Sequence, residues 1–129
     1  LDPNVLDRFP HQFSGGQRQR ICIARALTME PEVLIADEAV SALDVSVQAQ
    51  VLKLFDDIRK RFNLALLFIT HDLRVAAQIC DTVAVMSQSK VVEYGLTHDV
   101  FTNPQHEYTQ SLLSAAPGKD WDFGAFLAA

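Results

Sequence analysis

Two short apolar runs, Val33 to Ala36 and Leu64 to Thr70, flank a stretch with helical periodicity. Between them Val47, Val51, Leu54, Phe55, Ile58 and Phe62 recur at the three- and four-residue spacing of one helix face. Two strands that run in the same direction need a long crossover, and a helix is its usual form. The pattern predicts two buried parallel strands joined by a helix from about Ser46 to Phe62. Ser46 or Asp44 would cap the start of that helix, and Asn63 suits its exit. These features confine the fold to the α/β class.

The flanks fit the same scheme. Asp2-Pro3-Asn4 reads as loop. Pro10, Ser14, Gly15 and Gly16 then break the chain, and Ile21, Ala24 and Leu27 mark a helix from Gln17 to about Met29, which Pro31 ends. Downstream, a short helix is expected from Asp72 to about Ile79. Thr82 to Met86 and Val91 to Tyr94 alternate like hairpin strands around a turn at Ser87 to Lys90. Thr97 is expected to cap a short helix through Phe101. After Pro104, a last helix spans Tyr108 to Ala115 and stops at Pro117-Gly118. Lys119 to Ala129 carries mixed signals and reads as a mobile tail.

Composition narrows the function. The 129 residues are 49% hydrophobic and 21% charged, an ordinary globular balance. The net charge of −5 argues against the nucleic-acid backbone as the main partner. The longest apolar runs are too short to span a bilayer. The two cysteines, Cys22 and Cys80, lack any paired spacing, so a disulfide framework or zinc knuckle is not expected, and a reducing setting fits. Cys22, between Ile21 and Ile23, reads as a buried thiol.

Three clusters carry chemistry. Phe13-Ser14-Gly15-Gly16-Gln17 opens a helix, so backbone N–H groups and the dipole's positive end face outward beside the Ser14 hydroxyl. Phosphate is the natural guest of such a start, although Ser-Gly-Gly is also an ordinary cap and turn. Asp37 and Glu38 follow the first strand, at the sheet edge where α/β ligands bind. Asp37 could hold a hydrated magnesium ion and Glu38 could orient or deprotonate a water; the alternative is a solvated acidic turn. His71 follows the second strand, where an imidazole can donate to a phosphate oxygen or serve as a structural junction residue.

In this order the clusters resemble the ATP-binding cassette (ABC) ATPases. Phe13 to Gln17 is similar to the family signature, Leu34 to Glu38 to the Walker B strand with its catalytic glutamate, Ser41-Ala42-Leu43-Asp44 to the D-loop, and His71 to the switch histidine. The run Asp44 to Gln50, and Asn103-Pro104-Gln105-His106 with Tyr108-Thr109, more narrowly resemble the oligopeptide/dipeptide importer ATPases. No Gly-x-x-x-x-Gly-Lys-Ser/Thr phosphate loop is present in these residues. The family carries that loop upstream of the signature.

The resemblance implies a partial parallel sheet of a P-loop NTPase (RecA-like) core, with crossover helices and a C-terminal β-hairpin, lacking its N-terminal half. It assigns residues 1–102 to the C-terminal part of the nucleotide-binding domain and 103–129 to a C-terminal extension. It implies Glu38 and His71 as catalytic residues, Ser14, Gly15, Gly16, Gln17, Ser41 and Asp44 as ATP-contacting residues, and Asp37 at magnesium. It further implies a head-to-tail dimer with a second ATPase subunit, transmembrane permeases, a solute-binding protein as indirect partner, no nucleic acid, and a peripheral place on the cytoplasmic membrane face. The fragment alone is expected to be inactive. Two other readings are a cassette ATPase of DNA repair or translation, and a non-catalytic interaction module whose bare strand edges and apolar surface would self-associate. Two departures stand out. Ala39-Val40 replaces the family's usual Pro-Thr, and the Ser87 to Lys90 turn has no glycine, so positive φ there would be strained.

Overall fold

The structure is a computed structural model that describes residues 3–116. The stop at Pro117-Gly118 and the tail from Lys119 to Ala129 lie outside the described residues. The chain forms two compact units, Leu1–Ile69 and Thr70–Ala129.

The first unit opens with two short 3-10 turns, Pro3–Asp7 and Pro10–Gln12, where the sequence suggested plain loop. Helix α1 (Gly15–Leu27), strand β1 (Val33–Asp37), helix α2 (Val45–Phe62) and strand β2 (Ala65–Ile69) follow. β1 and β2 pair in parallel, from Val33 opposite Ala65 to Asp37 opposite Ile69. α2 is the crossover. Asp44, not Ser46, caps it, and Asn63 ends it in the left-handed region at φ 50°. Arg59, Lys60 and Arg61 fill its last turn, where the dipole favours cations.

α2 buries Val51, Leu52, Phe55 and Ile58. The Phe55 ring meets Phe68 edge-on, with centroids 5.5 Å apart. The register puts Leu34, Ala36, Leu66 and Phe68 on one face of the strand pair, so α2 lies on that face. The opposite face carries Val33, Ile35, Leu67 and Ile69, all exposed. The strands are therefore covered on one side only, where the sequence predicted burial on both. The reason is that one crossover helix supplies one layer, and a parallel pair needs two. The bare apolar face matches the expectation attached to the interaction-module reading. Cys22 is also exposed rather than buried: it lies on the outer side of α1, whose buried positions are Gly16 and Ile23.

The second unit contains α3 (Leu73–Ile79), β3 (Thr82–Ser87), β4 (Lys90–Leu96), α4 (Thr97–Thr102) and α5 (Glu107–Ser114). β3 and β4 form an antiparallel hairpin with an irregularity at Val85/Met86. Its turn residues, Gln88 and Ser89, take φ 47° and 60°, so the turn is left-handed without glycine, the case in which the sequence implied mild strain. Ala77, Val83, Val85, Val100 and Phe101 form the core. Thr97 is not the cap of α4. It is the first helical residue, buried, and its hydroxyl donates to the Cys80 carbonyl at 2.6 Å. A buried hydroxyl without that acceptor would be costly.

Glu93 of β4 clasps the segment before α5. Its carboxylate oxygens accept the Gln105 N–H at 2.8 Å and the His106 N–H at 3.1 Å. His106 then caps α5 by accepting the Tyr108 N–H at its Nδ1. The Gln105 and His106 amides hold the Glu93 carboxyl below its usual range. A lowered folded-state pKa gives stability that is present above the unfolded value and is lost as pH falls through the folded one. Acidification below about 4.5, the ordinary value, should therefore weaken the second unit. Glu93→Gln should be less stable than wild type at pH 7 and should lose less on acidification, followed by circular dichroism. Equal acid losses in both would contradict the clasp.

Candidate nucleotide-phosphate site

The start of α1 is closed by a reciprocal cap. The Ser14 hydroxyl accepts the Gln17 N–H at 3.3 Å, and the Gln17 side-chain oxygen accepts the Ser14 N–H at 3.0 Å. Gln17 N–H is thereby used, while the first-turn amides of Gly15 and Gly16 have no partner within the helix. No acidic residue stands in this first turn to neutralise the dipole. Gly15 is exposed and Gly16 is buried.

What buries Gly16 is α2. A Cβ built on Gly16 would lie 2.5 Å from Val47 Cγ1, and one on Gly15 would lie 3.2 Å from Leu43 Cδ2. Four residues along α1, Arg20 Nη2 donates to Gln50 Oε1 at 2.7 Å. The contacts advance in the same direction on both helices, so the two helix starts sit at one end of the pair. Asp44 occupies the α2 start. Its carboxylate accepts the Val47 N–H at 3.0 Å and the Ser46 hydroxyl at 2.7 Å, and these bonds lower its pKa. The sequence showed Val47 as an apolar-stripe residue; nothing in it paired Val47 with Gly16.

Asp37 ends β1 and is exposed. Glu38, also exposed, follows at φ 48°, and its N–H donates to the Ile69 carbonyl at 2.9 Å, one step beyond the ladder. The Glu38 carbonyl accepts both the Ser41 N–H, at 3.2 Å, and the Ser41 hydroxyl, at 3.0 Å. Ser41 thus fixes the turn that aims Glu38. Val40, in the position where the family usually has threonine, is 2% exposed. An apolar side chain there leaves no buried hydroxyl to satisfy.

His71 is exposed and belongs to the second unit. Its neighbours are fixed on both sides: the Thr70 hydroxyl accepts the Asp72 N–H at 3.0 Å, and Asp72 caps α3 by accepting the Arg74 N–H at 2.9 Å. A cavity of about 340 Å³ opens here, lined by His71, Asp72, Leu73 and Arg74 together with Leu112, Ala115 and Ala116 of the chain near α5. Among the described residues no group of three His, Cys, Asp or Glu could hold a metal ion. Magnesium keeps most of its waters and takes one or two protein carboxylates beside phosphate, a demand that the exposed Asp37 next to Glu38 could meet.

The glycine helix start packs on the crossover helix, and the carboxylates stand at the C-terminal edge of the parallel pair, an arrangement that suits a phosphate ligand. Residues 1–41 match the sequence model of the ABC transporter family. The chain is 56% identical over 117 residues to the oligopeptide transport ATP-binding protein AppF of Bacillus subtilis, covering 91% of this chain and 36% of AppF. It is 55% identical over 120 residues to the glutathione import ATP-binding protein GsiA of Pectobacterium atrosepticum, covering 93% of this chain and 19% of GsiA. A solved ABC transporter in an inward-facing conformation superposes with a TM-score of 0.69 at 30% identity, over 80% of this chain and 39% of that one. The chain thus spans well under half the length of the relatives it matches.

The left-handed Glu38 yields a test. A side chain at positive φ costs about 1 kcal/mol that glycine does not incur. Glu38→Gly should raise the unfolding midpoint of the chain, whereas Glu38→Ala should not. A lower midpoint for Glu38→Gly would show that the turn is not strained.

Proposed function

We propose that this chain is the signature-to-switch part of the ATP-hydrolysing subunit of an ABC importer, with peptides as the transported class. The observation that carries the reading is the pairing, in one unit, of an unneutralised glycine helix start with Asp37-Glu38 at the strand edge. The peptide class rests on the likeness to oligopeptide and glutathione import proteins. The bare Val33, Ile35, Leu67 and Ile69 face supports a larger domain whose remaining part covers the sheet.

In this mechanism ATP supplies the scissile γ-phosphate and magnesium offsets its charge. Ser14, Gly15, Gly16 and Gln17 grip the γ-phosphate of nucleotide held by the phosphate loop of a second, head-to-tail ATPase subunit. The exposed Gly15 amide and the positive end of the helix dipole prefer the extra charge of ATP over ADP, so nucleotide hydrolysis loosens the pair. Glu38 orients or deprotonates the attacking water, and its turn presents the carboxylate in one place. Asp37 would hold magnesium. His71 donates to the γ-phosphate and stabilises developing charge. Ser41 and Asp44 lie on the segment that faces the second subunit. Opening and closing of the pair drives transmembrane permeases fed by a solute-binding protein, with the subunit peripheral on the cytoplasmic membrane face. Residues 103–129 form a C-terminal extension.

The test is a transplant. Replacing the matching segment of Bacillus subtilis AppF with this chain should give a protein that hydrolyses ATP. Glu38→Gln in that chimera should lower turnover at least a hundredfold while nucleotide binding persists. This chain alone should neither bind ATP tightly nor hydrolyse it. An inactive chimera that binds nucleotide, or tight ATP binding by the chain alone, would overturn the reading.

A further inference from the structure

The glycine pair at the α1 start has two sides. Gly15 is exposed, on the side where the proposed phosphate lies. Gly16 is buried, and the atom nearest its missing Cβ is Val47 Cγ1, at 2.5 Å. Real Cβ atoms do not approach another carbon so closely, so alanine at 16 forces α1 and α2 apart or displaces Val47. Gly16 is thus a socket for Val47. Leu43, which leads into α2, fills the space beside Gly15. The Arg20–Gln50 bond ties the same two helices one turn further on.

Val47 is also fixed from its own side. Its N–H is the one that the Asp44 carboxylate accepts at 3.0 Å, so any shift of Val47 is felt by the Asp44 cap. As a β-branched helical residue it has essentially one χ1 rotamer and cannot swing clear of the contact. A rigid chain of contacts therefore runs from the Gly15–Gly16 amides through Val47 to Asp44.

We propose that Val47 is a positioning residue: seated in the Gly16 socket, it locks the phosphate-facing amides of α1 to the Asp44 segment, so that the two move as one piece against the partner subunit. Val47 does not touch nucleotide. The inference rests on the functional reading above and adds to it a residue and a reason for the second glycine that lies inside the protein.

The experiment uses the AppF chimera carrying this chain. Val47→Ala removes the knob and should lower kcat about tenfold, with KM for ATP changed less than threefold, because displaced amides are missed mainly in the closed state. Val47→Thr keeps the branched shape and should stay within twofold of wild type. Gly16→Ala should be severely impaired, and Gly16→Ala combined with Val47→Ala, which gives the new methyl the vacated space, should recover at least tenfold of the lost turnover. No recovery in the double variant, or a wild-type kcat for Val47→Ala, would overturn the inference while leaving an active wild-type chimera, and hence the functional reading, intact. A wild-type chimera that does not hydrolyse ATP would instead overturn the functional reading, and the inference with it.

Discussion

The hydrogen bond from the Glu38 N–H to the Ile69 carbonyl is the constraint on which the first unit depends. It carries the parallel ladder one residue past β1, so Glu38 must turn sharply where a strand would run on. The result is a left-handed glutamate, with its carbonyl held by Ser41. Backbone energy is given up at one residue so that the chain turns at the sheet edge with Glu38 at the turn. The local strain is affordable because α2 buries Val51, Leu52, Phe55 and Ile58, and because Asp44 and Asn63 close both ends of that helix.

Much of this was legible in the sequence because it follows from period and punctuation. The α2 stripe, the two short strands and the hairpin are local patterns, and their ends fell within a few residues of those expected. The signature, the carboxylate pair and His71 were legible as residue types in order. Two misreadings come from burial, which depends on the layers present and on which side of a helix a residue falls, and a third comes from a hydrogen bond. β1 and β2 look like strands buried on both faces, yet Val33, Ile35, Leu67 and Ile69 are bare. Cys22 between two isoleucines looks internal, yet it sits on the outer side of α1. Thr97 has the type of a cap residue, but the nearby Cys80 carbonyl gives its hydroxyl a better use inside.

Other features had no local signal at all. Glu93 is distant in sequence from the Gln105 and His106 amides that it accepts, and no pattern links them. The Asn103 to His106 motif reads as a subfamily mark, whereas its geometry makes it the far half of a clasp that seats α5. Likewise, Ser-Gly-Gly reads as a phosphate motif, but its second glycine is explained from within, by Val47. One stretch of sequence can thus answer two demands, and only the coordinates separate them.

The central claim is that the α1 start faces a γ-phosphate contributed by another subunit. Its most direct measure is amide hydrogen exchange at Gly15, Gly16 and Gln17 in the dimeric chimera, compared with ATP, with ADP and without nucleotide, in the Glu38→Gln background to hold ATP intact. The account predicts slower exchange at the Gly15 amide with ATP and little change with ADP. Exchange at Gly15 that is the same with ATP as without nucleotide, in a dimer with both sites filled, would contradict it.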